Sequence, residues 1–169
     1  MTRLHLAAAA ALGLAAALPA AAHVTIEPGQ AQPGSTIRAA FRIPHGCDGA
    51  AMTRLTVRLP EGATQVRPMP KPGWTLRLVP REDAAAPAAH GAVPELAEVV
   101  WEGGRLDDAH YDEFVLRLRL PDRPGELFYI PVVQDCEGGR SAAWVEIPEP
   151  GRRVSDYRTP APAVRLMAR

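Results

Sequence analysis

Phe114-Val115-Leu116-Arg117-Leu118-Arg119-Leu120 is the stretch on which the fold turns. Apolar side chains stand at 114, 116, 118 and 120, with Arg117 and Arg119 between them. A period of two belongs to an extended strand with one face in a core and one in water. Leu55-Thr56-Val57-Arg58-Leu59 repeats the pattern. Further short apolar or β-branched runs predict strands at Val24–Glu27, Thr36–Ile43, Met52–Leu59, Gln65–Met69, Thr75–Val79, Ala97–Glu102, Glu113–Leu120, Leu127–Val133 and Ala142–Ile147.

Turn signals separate these runs: Pro28-Gly29, Pro33-Gly34, Pro60-Glu61-Gly62, Pro72-Gly73, Gly103-Gly104, Pro124-Gly125 and Gly138-Gly139. The 18 prolines oppose long helices, and no long apolar pattern at helical period follows residue 22. Regular short strands with frequent turns predict an all-β, antiparallel sandwich or barrel. Arg81 to Pro94 interrupts the rhythm and reads as a mobile loop between strands of one domain.

The ends belong to a different physics. Residues 1–22 read as a secretory signal peptide: Arg3 and His5 open it, an Ala/Leu run follows, and Pro19-Ala20-Ala21-Ala22 supplies small residues for cleavage before His23, with a cut after Ala20 or Ala21 as the competitor. A membrane anchor is the alternative, but an apolar run of roughly 15 residues, mostly alanine, falls short of the ~20 needed to span. Removing 22 of the 169 residues would leave 147, a usual size for one domain with one core. Residues 151–169 read as a C-terminal tail, with Thr159 to Arg169 short, proline-broken and basic.

Basic and acidic residues number 19 each, so the chain has no electrostatic case for nucleic acid. Two cysteines, Cys47 and Cys136, remain in a chain read as exported to the periplasm or beyond, where a single disulfide is the default. A thiolate copper site is the alternative, without CxxC spacing to support it.

His23 carries the sharpest chemistry. Cleavage after Ala22 puts an α-amine and an imidazole on one residue, able to chelate a metal together. Such an amine ordinarily titrates at about 7.7–8.0, so it deprotonates at little cost near neutrality. Amine and imidazole nitrogens suit Cu(II), which tops the divalent affinity order. The methionines Met52, Met69 and Met167 do not cluster in sequence, which opposes a thioether-rich Cu(I) site.

His23-Val24-Thr25-Ile26-Glu27-Pro28 directly after an Ala-x-Ala site resembles the start of the YcnI-like family of bacterial copper-binding proteins. Gly46-Cys47, Pro72-Gly73-Trp74, Trp101-Glu102-Gly103-Gly104, Tyr111-Asp112-Glu113-Phe114 and Gln134-Asp135-Cys136-Glu137-Gly138, with Trp144 beyond, follow in that family's order. The resemblance implies an immunoglobulin-like β-sandwich over residues 23–150 that holds Cu(II) by a single-histidine brace. It implies that His23 supplies two nitrogens, Glu113 a carboxylate, and Trp144 an aromatic beside the metal. Family members often continue into a membrane anchor; this chain shows none, and tethering is not expected.

On the residues alone, Glu113 at a strand start also suits a solvated side chain, and Asp112 is the fallback ligand. Only one of the two faces a given side of an extended chain. Trp144 and Trp101 suit a core equally well. His45 and His90 read as exposed and His110 as a neighbour of Glu113. The expected function is a copper carrier or chaperone serving copper homeostasis, not an enzyme, with other periplasmic copper proteins as partners. The alternatives are a metal-free interaction module and a copper-dependent oxidative enzyme, the latter needing a second metal histidine and more aromatics than the 5% present.

Overall fold

The computed structural model describes residues 23–82 and 94–169. Residues 1–22, read as a signal peptide, His90 and most of the predicted 81–94 loop lie outside the described residues. Among the described residues twelve strands follow in order: β1 (Thr25–Glu27), β2 (Gln30–Ala31), β3 (Thr36–Ile43), β4 (Met52–Arg58), β5 (Thr64–Pro68), β6 (Thr75–Pro80), β7 (Leu96–Leu106), β8 (Asp112–Arg119), β9 (Leu127–Tyr129), β10 (Val132–Cys136), β11 (Ser141–Trp144) and β12 (Ala163–Leu166). They form a four-stranded sheet in the order β1-β3-β8-β5, a five-stranded sheet β11-β10-β4-β7-β6, and a small sheet β2-β12-β9. All pairings are antiparallel except β2 with β12.

The period-two runs do what their pattern predicts. In β8, Phe114, Leu116 and Leu118 are buried while Arg117 and Arg119 are exposed; in β4, Leu55 and Val57 are buried. These inward rows meet between the two large sheets. Trp101 of β7 lies edge-on to Phe114 of β8, ring centroids 5.5 Å apart, and Trp74 meets the same ring from another side at 5.0 Å. Burying large apolar side chains of this kind stabilises the fold by about 1.5–3 kcal/mol each.

Cys47 and Cys136 form the expected disulfide, with Cα atoms 6.0 Å apart and a sequence separation of 89. Constraining so long a loop in the unfolded chain contributes about 2–4 kcal/mol.

Three expectations need correction. Leu127–Val133 is not one strand: β9 pairs with β12 and β10 with β4. Pro131 has no N–H to continue a ladder, and beside it Ile130 donates to the Pro162 carbonyl. Gly103-Gly104 is not a turn but lies inside β7. A Cβ on Gly104 would collide with the Trp74 indole, so the glycine is there for a close approach. The C-terminal segment is not a loose tail either. β12 pairs on both edges, and Val164 and Leu166 are completely buried. Its alternation Ala163-Val164-Arg165-Leu166 is too short to stand out from the surrounding prolines. No helix among the described residues is long and apolar enough to cross a membrane.

Candidate metal centre

β1 and β11 are edge strands of the two large sheets, and His23 and Trp144 meet where these edges come together. His23 immediately precedes the first strand. Val24 and Ile26 turn into the core while His23, Thr25 and Glu27 stay exposed, as a period of two requires. Trp144 closes β11 and is buried. The imidazole stands edge-on to the indole, centroids 5.2 Å apart at an interplanar angle of 63°.

The indole is held from behind. Its Nε1 donates to Gln134 Oε1 at 2.8 Å, and Gln134 Nε2 donates to the His45 carbonyl at 3.1 Å. Gln134 is buried on the same side of β10 as Val132 and Cys136. A buried amide is costly unless bonded, and these contacts satisfy it. Sequence reading passed over Gln134; its signal was a polar residue at a core position of a strand. His23 also borders a groove of about 580 Å³ whose walls include Ile26, Leu127, Tyr129, Tyr157 and Arg165.

Glu113 is positioned by register. It lies directly opposite Arg42 of β3, which lies directly opposite Thr25 of β1. Residues opposite one another in antiparallel strands share a face, so Glu113 occupies the exposed face that Thr25 occupies, two strands away. Two strand spacings are about 10 Å. Glu113 Oε1 accepts from the Tyr111 hydroxyl at 2.6 Å and from Arg42 Nε at 3.2 Å. Arg42 also pairs with Glu27. Glu113 Oε2 accepts no hydrogen bond among the described residues, and its near cation is Arg38 at 3.9 Å.

The Tyr111 hydroxyl holds the Glu113 carboxyl below its usual range; burial opposes it, and the Arg42 hydrogen bond with the charges of Arg42 and Arg38 adds to the lowering. The same bond raises the Tyr111 phenol. Glu113 is therefore an ionised carboxylate with one oxygen hydrogen-bonded and the other, among the described residues, facing Arg38 without a hydrogen bond. Tyr111 and Arg42 carry that arrangement, and neither stood out in the sequence as a site residue.

Asp112 faces away from Glu113: it takes Lys71 Nζ at 2.7 Å and the Glu113 backbone N–H at 2.8 Å. His45 is half-buried, with Nδ1 3.7 Å from Asp108. His110 is exposed, and no hydrogen bond among the described residues joins its ring to Glu113. Trp101 is a core residue that donates to the Met69 carbonyl at 3.2 Å. Among the described residues, no group of three or more His, Cys, Asp and Glu side chains is gathered to hold a metal. A brace needs fewer side chains, because the chain's own amine is one donor. His23 acquires that amine only when the preceding residues are removed.

Fold and site together define an immunoglobulin-like β-sandwich with an exposed histidine set against a tryptophan at one end. A crystal structure of an uncharacterized protein from Nocardia farcinica, described as revealing an immunoglobulin-like fold, is similar to this chain. The two share 30% identity and a TM-score of 0.66 over 86% of this chain and 98% of the other. No curated protein matches. Residues 23–166 match the family described as Domain of unknown function (DUF1775), and the chain belongs to that family, which is the domain of the YcnI-like proteins.

Proposed function

We propose that the protein is an exported Cu(II)-binding protein, a carrier rather than an enzyme, whose site forms when cleavage before His23 frees its amine. His23 would supply amine and imidazole nitrogens, and Glu113 Oε2 the carboxylate oxygen. Bound copper would be held as cargo, with Trp144 walling one side of it. The observation that carries this reading is the His23–Trp144 pair: an exposed imidazole at the first residue of the matched region, lying against a fixed indole. The ionised Glu113, on the exposed face that also carries Thr25, supports it.

The donor set fits the ion. Nitrogen and carboxylate donors in a small number suit Cu(II), and the carboxylate is already deprotonated, as metal ligation demands. Glu113 must still be brought to the histidine, and its ion pairs with Arg42 and Arg38 compete with the metal for it. A disulfide suits the oxidising compartment to which an export signal leads. Other exported copper proteins are the partners this reading implies.

Calorimetric titration with Cu(II) of protein whose first residue is verified as His23 tests the proposal. One tight equivalent per chain is expected, and it should weaken in Glu113→Gln. No one-to-one binding would leave only a sandwich that presents loops to a partner.

A further inference from the structure

The outer face of the four-stranded sheet carries a second feature, of which the copper reading involves only Arg38, the neighbour of Glu113. Arg38 of β3 lies directly opposite Arg117 of β8, and Arg117 lies directly opposite Arg67 of β5. Three guanidinium side chains thus stand abreast on adjacent strands, with backbones about 5 Å apart. All three are exposed. Like charges directly opposite each other destabilise a sheet. Arg67 and Arg117 make no ion pair among the described residues, and the carboxylate near Arg38 is Glu113 at 3.9 Å.

Arg67 reaches this row through an irregularity in β5. Thr64 pairs with Arg119 and Arg67 with Arg117, so two residues, Gln65 and Val66, face the single Leu118. Without the extra residue Val66 would oppose Arg117 and Arg67 would turn inward. Gln65 takes up the bulge with φ at 51°, a left-handed conformation uncommon for a side-chain-bearing residue. Bulges re-aim side chains, and this one aims a third arginine at the other two. The three also line one cavity of about 430 Å³, floored by Val115 and flanked by Pro68 and the exposed Met69. Ligand sites for small molecules span about 300–1,000 Å³.

We infer that Arg38, Arg117 and Arg67 form a binding site for a small multivalent oxyanion, whose carboxylate or phosphate groups are spaced to meet neighbouring guanidiniums. Planar guanidinium groups recognise both kinds of oxygen pair in a forked geometry. The chain as a whole has as many acidic as basic residues, so the row is a local concentration of charge and not part of a general excess. Occupancy removes the repulsion within the row, so binding and stability are linked. The site needs neither the free amine nor copper, and its test stands apart from the copper test.

The full chain, stripped of metal, is melted at low ionic strength with pyrophosphate, tricarballylate, acetate or sodium chloride matched for ionic strength. Pyrophosphate or tricarballylate should raise the Tm beyond the salt control, and acetate should not. The stronger of the two multivalent anions identifies phosphate or carboxylate as the preferred group. Arg117→Gln should bind that anion at least about tenfold more weakly, the loss of one charge-assisted contact, and should melt higher than the parent without anion. Arg67→Gln should act in the same direction, whereas Arg165→Gln, on β12, should leave anion binding unchanged. Equal anion responses in parent and Arg117→Gln, or a parent response no larger than that to sodium chloride, would overturn the inference. So would binding of a poly-glutamate chain where neither small anion binds, since that identifies an acidic protein surface as the partner.

Discussion

His23 and Trp144 meet edge-on with ring centroids 5.2 Å apart, although one precedes the first strand and the other ends β11 of the opposite sheet. The indole cannot swing freely, because Nε1 is tied to the buried Gln134. An exposed ring is thereby held against a fixed wall, and the surroundings of any ion on His23 are set by residues from both sheets.

Trp144→Phe keeps a ring in that position but loses the indole and its bond to Gln134. The optical spectrum of the Cu(II) complex should shift, while the affinity changes less than in Glu113→Gln. An unchanged spectrum would remove Trp144 from the neighbourhood of the ion.

One extra residue before His23 should abolish the brace without touching the fold. The amine becomes an amide, a far weaker ligand, and affinity for Cu(II) should fall by on the order of 100-fold, or about 2.8 kcal/mol. The melting temperature of the metal-free protein should stay the same. Equal copper affinity in the extended chain would show that the amine is not a ligand.

Leu166→Ala tests whether the C-terminal segment belongs to the core. Leu166 is completely buried, and its N–H bonds to the Glu126 carbonyl. Truncating such a side chain costs about 2–5 kcal/mol, depending on how far the cavity collapses. Urea denaturation should show a loss in that range; a loss below about 0.5 kcal/mol, typical of surface positions, would restore the reading of a passive tail.

The same segment should loosen in acid. The Thr159 backbone N–H, then its hydroxyl, hold the Glu146 carboxyl below its ordinary value of 4.5, at 2.6 and 2.9 Å. A lowered native pKa means that the contact stabilises the fold above the ordinary carboxylate range and is lost as pH falls through the lowered value. Protection of the Ala161 N–H, which donates to the Glu146 carbonyl, should therefore drop as pH falls below about 4.5. In Glu146→Gln protection should be lower at neutral pH and should no longer change over that acid range.

Much of the architecture was legible in the chain because strand character is local. Alternation at Leu55–Leu59 and Phe114–Leu120 announces one wet and one dry face, and most predicted strand limits agree with the structure to within a residue or two. The failures share a cause. Whether Gly103-Gly104 turns the chain or admits Trp74 depends on a ring brought there by another strand. Whether the segment after Thr159 is loose depends on β2 and β9 offering it two edges.

The sequence by itself determined the alternation of strands, the availability of two cysteines for one bridge, and the histidine at 23 and glutamate at 113 that the proposed brace would use. Their periodicities and chemistries are properties of neighbours along the chain. Only the tertiary structure decided that Trp144 lies against His23, that Tyr111 and Arg42 keep Glu113 ionised, and that three arginines stand in a row. Those relationships come from register between strands distant in sequence, where a shift of one residue turns every side chain to the opposite face.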